Sequence, residues 1–306
     1  MEIMNNFICC ADLHIRANRP VHRKDDYLKS VVDKFTQIVN IANVHKADII
    51  CAGDFFDHIT VGHKVVNTII PILNSFNGKI YLVIGQHDMA FHRKDLTSSP
   101  LQTLLFRDDV ILLNSKKPIK IGKNYLYGCS WEEEPIIPKD KKNSILIIHR
   151  SITPEEPPFF LKEAISAEDA LDKYEGYFLI VSGDYHESFM AEKCGNVLVN
   201  CGTMMRSSID KIKTEPKVWF VNSKNNEIEG IKLDIKDPEE VFILEKIENK
   251  DNSKFTEDLV KLVEVLKNKT SRPDFKQVVT MIMKKTKTNK LVKKKIKEII
   301  KEAENG

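Results

Sequence analysis

At 306 residues and an apolar fraction of 42%, the chain is long enough to bury one large core and carry a smaller appendage. Its net charge of +3 does not by itself demand a polyanionic partner, and its six cysteines lack any C-x-x-C spacing, which argues against disulfides and thiolate-bound zinc. No stretch nears the ~20 apolar residues of a membrane span, and Met1 to Asn6 leads into a strand rather than a signal peptide, so a cytoplasmic protein without membrane association is expected.

Phe7 to Ala11 is a short apolar run closed by Asp12-Leu13-His14. Leu28, Val31, Val32, Phe35, Ile38, Val39 and Ala42 then recur at helical spacing, and Ala47 to Ala52 reads as a second strand. The opening is therefore β-α-β, the signature of a layered sheet with helices packed on it. Lys64 to Phe76 reads as an amphipathic helix and Lys79 to Ile84 as a strand ending at Gly85-Gln86-His87-Asp88. Pro100 opens a short helix through Phe106, capped by Ser98 or Ser99.

The period then changes. Val110 to Leu113, Ile119 to Ile121 and Asn124 to Tyr127 are short runs between turn residues, predicting a second, antiparallel sheet. Ser144 to Ile148 ends at His149, and Tyr177 to Val181 ends at Gly183-Asp184-Tyr185-His186, with a helix predicted between them from Phe160 to Leu171. Strands follow at Val197 to Asn200, Val218 to Asn222 and Val241 to Leu244. Beyond Asp237-Pro238 the composition turns rich in Lys and Glu, with apolar faces at Phe255 to Leu266 and Leu291 to Ile300, giving a predicted division into 1–237 and a helical region 238–306.

The chain is organised around Cys51-Ala52-Gly53-Asp54, where a buried run stops at a glycine and presents a carboxylate. Ligands in α/β sheets bind at the carboxyl ends of parallel strands, and Gly53 allows the sharp turn needed there. Alone, Gly-Asp after a strand is a turn. Here five apolar runs end in metal-capable groups: Asp12 and His14; Asp54; Gln86, His87 and Asp88; His149; Asp184 and His186. Oxygen and imidazole donors without thiolate suit manganese, iron or catalytic zinc, and their number suggests two ions sharing a carboxylate.

The ordered set D-x-H, G-D-x-x-D, G-Q-H-D, a strand-end His and G-D-x-H resembles the five motifs of the calcineurin-like metallophosphoesterase superfamily. Within it, Ala52 to Asp57, Gly85 to His92 and Val199 to Arg206 look most like the SbcD-type nuclease subunits of DNA recombination and repair, including compact phage forms. The resemblance implies a four-layer α-β-β-α sandwich. It also implies that Asp12, His14 and His186 hold one divalent ion and Gln86, His149 and Asp184 another, with Asp54 bridging. His87 would face the scissile phosphate and Asp88 would hold its ring.

The family usually has Asn at Gln86 and His at Asp184, so the departures point to a harder, more manganese-like preference. Some relatives carry His where Asp57 stands, which leaves the role of Asp57 open, with neighbouring His58 either substituting or simply exposed. The implied reaction is metal-dependent exonuclease and endonuclease hydrolysis of DNA, with DNA, an SbcC-type coiled-coil ATPase subunit and a second copy of the chain as expected partners. A phosphatase or cyclic-nucleotide phosphodiesterase on the same fold, and a DNA-end-binding scaffold with weakened chemistry, are the competing readings. Arg16, Arg19, His22, Arg23 and Lys24, and His92 to Lys94, are either phosphate contacts or solvated loop charges. Met204 and Met205 read as core residues.

Overall fold

The structure is a computed structural model that describes residues 6–90, 95–158, 161, 163–222 and 224–243. The described residues belong to one compact unit, Met1–Leu244, and the helices expected at 255–266 and 291–300 lie outside the described residues. The chain opens with β1 (Asn6–Cys10), α1 (Tyr27–Val44), β2 (Ala47–Cys51), α2 (His63–Asn74) and β3 (Ile80–Leu82), followed by α3 (Pro100–Leu104) and β4 (Val110–Leu112). Asp26 caps α1 by accepting the Lys29 N–H at 3.1 Å, and Ser99 caps α3 by accepting that of Leu101 at 3.3 Å.

Next come β5 (Ile119–Ile121), β6 (Asn124–Cys129), β7 (Ser144–His149), β8 (Ile152–Thr153), β9 (Ile165–Ser166), α4 (Ala167–Lys173) and β10 (Leu179–Gly183). The described part closes with β11 (Phe189–Lys193), β12 (Asn196–Asn200), β13 (Lys217–Val221), β14 (Ile228–Lys232) and α5 (Pro238–Val241). Two six-stranded sheets result, ordered β14-β13-β1-β2-β3-β4 and β11-β12-β10-β7-β6-β5.

The period-2 alternation of β1 and β2 builds two cores at once. Phe7, Cys9 and Ile50 point between the sheets, where they meet Ile145, Ile147, Leu179 and Val181. Ile8, Cys10, Ile49 and Cys51 point the other way, under Val31, Phe35 and Ile38 of α1 and Val65 and Ile69 of α2. On the far side, Ala167, Ala170 and Leu171 of α4 cover Leu146, Ile148 and Ile180. This is the expected α-β-β-α layering.

Four local expectations need correction. Val110–Leu112 does not start the second sheet; it pairs parallel with β3, Ile80 opposite Val110. The second sheet is mixed rather than antiparallel, because β6, β7, β10 and β12 are joined by connections long enough to cross over and run parallel. Its antiparallel pairs are the edges, β5 with β6 and β11 with β12.

The helix expected from Phe160 begins at Ala167 instead. Ile165–Ser166 pairs with Ile152–Thr153, and the Ser166 hydroxyl accepts the Asp169 N–H at 3.0 Å to start the helix there. The run from Val241 is not a strand: Pro238 at the first helical position, with Glu239 and Glu240 in the first turn, makes the short α5, and Phe242 forms a single bridge with Arg23. Leu244 lies outside the described residues. Among the described residues no helix is long and apolar enough to cross a membrane.

Arg23 fastens this end of the unit. Its guanidinium grips Asp25 through two bonds of 2.8 and 2.6 Å, donates to the Arg206 carbonyl, and lies between the rings of Tyr27 and Phe242 at 5.2 and 5.5 Å. Burial raises the Asp25 pKa, but the bonds from Arg23 and Ser30 override it and hold the carboxyl below its ordinary value. A depressed carboxyl stabilises the fold above its unfolded pKa of ~3.9, and that contribution is lost as pH falls through the folded value. Asp25→Asn is therefore expected to lower unfolding free energy by about 3 kcal/mol at pH 7. In urea titrations that gap should close with acidification; a gap constant from pH 7 to pH 2 would refute the ion-pair account.

Candidate metal centre

The site lies where the two sheets present the carboxyl ends of parallel strands side by side, as the crevice rule requires. After β1 and β2 the chain continues as two loops zipped together by backbone bonds from Asp12 N–H to Gly53 (3.1 Å), His14 N–H to Asp54 (3.0 Å) and Ile15 N–H to Phe55 (3.1 Å). The zip aligns Asp12 and His14 against Asp54. Asp12, His14, Asp54 and Asp184 all adopt positive φ, between 43° and 82°, a conformation that non-glycine residues hold only when their surroundings impose it.

Glycines make the close approach feasible. A Cβ on Gly53, whose φ is 95°, would lie 2.3 Å from His149 Nδ1, and one on Gly85 would lie 2.0 Å from Asp54 Oδ1. The turn Gln86–Asp88 follows β3, and the His87 N–H donates to Asp54 Oδ1 at 2.9 Å. From the second sheet, the Asp184 N–H donates to both Asp12 oxygens, at 3.0 and 3.1 Å, and so ties the sheets together at the site.

The side chains converge. His14 Nε2 and His186 Nε2 face each other at 3.3 Å, and Asp12 joins them as one group of ligand atoms lying within 4.8 Å of one another. Asp12, Asp54 and His149 form a second such group, and His14, Asp57 and His87 a third. Gln86 bridges across, its carbonyl 2.7 Å from His149 Nε2 and its amide donating to Asp184 Oδ1 at 2.6 Å. His149 Nδ1 donates to the Ala52 carbonyl at 2.6 Å, which orients the ring and leaves Nε2 facing the cluster. Asp12, His14, Asp54, Gln86, His87, His149, Asp184 and His186 thus all meet here.

The electrostatics fit a cation. Asp54 is fully buried, and its Oδ2 has no hydrogen-bond partner among the described residues. That oxygen lies 3.4 Å from His149 Nε2, 3.8 Å from His14 Nε2 and 4.0 Å from His87 Nε2. Burial raises the Asp54 pKa, but His149, His14 and His87 outweigh it and keep the carboxyl below its ordinary value. Burial likewise pulls His149 down, yet Asp54, Asp12 and Asp184 carry it up to about 10. Carboxylates and imidazoles are drawn together here around the unpartnered Asp54 Oδ2, and oxygen and imidazole donors without thiolate fit hard or borderline divalent ions.

One expected role moves. Asp88 does not hold the His87 ring: its buried carboxylate accepts the backbone N–H groups of Phe55 (3.3 Å), Phe56 (3.1 Å) and Gly85 (3.1 Å). The ring is held by the Asp57 carbonyl, 2.6 Å from Nδ1. Asp57 also places its carboxylate between Arg16 Nη1 (2.7 Å) and His14 Nδ1 (3.5 Å). Burial raises its pKa, and His14 and Arg16 draw it down to about 2. His58 is in none of the ligand groups found among the described residues. Sequence reasoning missed Asp57 as the ring's support because the acceptor is main chain, which no side-chain spacing signals.

A buried centre of carboxylates and imidazoles at the edge of two packed sheets defines a metal-dependent hydrolase. Residues 6–188 match the calcineurin-like phosphoesterase family, and the chain belongs to it: a hydrolase acting on phosphoester bonds, in a family that works with divalent metals. Among solved structures it is similar to a novel archaeal phosphodiesterase at 15% identity and TM-score 0.43, covering 74% of this chain and 99% of that one. It is also similar to the phosphopantetheinyl hydrolase of Mycobacterium tuberculosis at 10% identity and TM-score 0.43, covering 78% and 99%. A hypothetical protein from Pyrococcus horikoshii OT3 matches at 13% identity and TM-score 0.38, covering 85% and 94%. No curated protein matches the chain.

Proposed function

We propose that the protein is a DNA nuclease of the SbcD type, cleaving phosphodiesters with two divalent ions, manganese by preference. The observation that carries the two-ion reading is Asp54 Oδ2, a buried oxygen that faces His14 from one donor set and His149 from the other. Asp12, His14 and His186 would hold one ion, Gln86, His149 and Asp184 the second, and Asp54 both. Ions bound there lower the pKa of a water and offset charge on the phosphoryl oxygens.

The chain's own residues do the rest. With Nδ1 bonded to the Asp57 carbonyl, the His87 ring directs Nε2 at the cluster, and its side chain is 42% exposed, so a substrate reaches it. From there Nε2 is placed to give a proton to the departing sugar oxygen. Support for DNA over a small phosphoester comes from the likeness of Ala52 to Asp57, Gly85 to His92 and Val199 to Arg206 to the nuclease subunits. By the same likeness, the region 238–306 docks a coiled-coil ATPase partner, and the nuclease pairs with a second copy of itself in the cytoplasm.

The test compares manganese-dependent cleavage of linear duplex and single-stranded DNA, and of p-nitrophenyl phosphate, by wild type and His87→Ala. Wild type is expected to cut DNA, with the variant slower by about 10²–10⁴-fold while metal content is unchanged. Hydrolysis of the monoester alone would make the protein a phosphatase. End binding without cleavage by either preparation would make it a scaffold.

A further inference from the structure

Away from the metal centre, a second polar cluster has no role in the chemistry above. A cavity of about 40 Å³ is lined on one side by Ser30, Asp33 and Lys34 of α1 and on the other by Met205, Arg206 and Lys236. Arg206 donates through Nε to the Thr214 carbonyl at 3.0 Å, but its Nη1 is buried with no hydrogen-bond partner among the described residues. A buried cationic N–H left unmatched is costly, and native folds match such groups with a water or an anion.

The charges around it are one-sided. Arg23, which also lines the cavity, is already satisfied by Asp25. Lys34, Lys236 and Arg206 make no direct ion pair among the described residues, and Asp33 is the carboxylate of the lining. Burial lowers the Lys34 pKa; Asp234 and Asp33 oppose that, while Lys236 and Arg23 reinforce it. The Ser30 hydroxyl donates to Asp25 at 2.5 Å and so offers the cavity a lone pair rather than a proton. The space exceeds the ~10–15 Å³ that one water needs on this measure, and Lys236 in its lining is exposed. That suits one compact tetrahedral oxyanion.

The position is also pointed. Arg206 sits on the loop after β12, in which the Thr203 N–H donates to the His186 carbonyl at 3.3 Å. One loop therefore leans on a metal-centre motif and carries the unmatched guanidinium.

We propose that this cavity binds a single phosphate group, with the Arg206, Lys34 and Lys236 side chains of its lining as charge partners. The same chemistry is offered by free inorganic phosphate and by a phosphodiester of a nucleic-acid strand. The test uses the full chain in EDTA, so that the metal centre does not contribute, at constant ionic strength. Inorganic phosphate and, separately, a single-stranded oligothymidylate are titrated by calorimetry into wild type, Arg206→Lys, Lys34→Gln and Lys236→Gln.

Arg206→Lys keeps the charge but not the fork and is expected to bind about ten-fold more weakly, each Lys→Gln variant a few-fold more weakly. Weakened phosphate binding identifies free phosphate as sufficient. Weakened oligonucleotide binding, with no phosphate binding in wild type, identifies the strand as the source. The proposal fails if wild type binds neither probe, or if the variants bind like wild type. Should Arg206→Lys not fold, the two lysine variants decide on the same criteria.

Discussion

Asp54→Asn is expected to abolish phosphoester hydrolysis and to strip the protein of metal. The substitution keeps the shape and the Oδ1 contact with the His87 N–H, but removes the charge that faces His14, His149 and His87 from a fully buried position. A residue that only steadies a ligand costs ~10–100-fold in metal affinity when removed, and Asp54 should exceed that range. Metal content after desalting reads the loss directly. A second readout is thermal: wild type should melt higher as manganese is added, because the ion binds only the native state, and the variant should not. Stoichiometric manganese in Asp54→Asn would displace this carboxylate from the heart of the centre.

Asp88→Ala is expected to act on stability far more than on chemistry. Its carboxylate is the acceptor for Phe55, Phe56 and Gly85, so the variant strands three buried backbone N–H groups. At ~1–3 kcal/mol for each unmatched donor, the cost is about 3–9 kcal/mol, a large share of a domain's margin. Urea unfolding of the metal-free protein measures it. A variant as stable as wild type, yet with a shifted pH–rate profile, would return Asp88 to the role of partner for the His87 ring.

These two residues mark how far the sequence could be read. Asp54 was legible because an apolar run, a glycine and a carboxylate coincide where a parallel strand ends, and the same rule found Asp12, His149 and Asp184. The layered β-α-β opening was legible from the apolar run Phe7 to Ala11 and the helical spacing of α1, whereas the four-layer α-β-β-α order came with the family likeness. Asp88 was not, since side-chain-to-backbone bonds across Phe55, Phe56 and Gly85 leave no spacing signal.

The carbonyl of Asp57 was hidden for a related reason: any residue there supplies a main-chain acceptor. β11 and β14, with sequences FMAEK and IEGIK, were missed because edge strands expose half their side chains and lose the apolar continuity that marks a central strand. β4 was assigned to the wrong sheet because nothing in Val110–Leu112 distinguishes a parallel edge partner from a hairpin arm.

The Asp184 N–H that reaches Asp12 across the gap joins halves of the molecule that share no backbone ladder. Asp12 and Asp54 ride on one slab, His149, Asp184 and His186 on the other, and the oily layer around Ile50, Ile147 and Val181, with a few hydrogen bonds such as Asp184 to Asp12 and Trp219 to Asn200, sets their alignment. Activity therefore works as a gauge of how the slabs sit: a small slide in that layer, far from any donor, would part the halves of the centre while leaving each side chain intact.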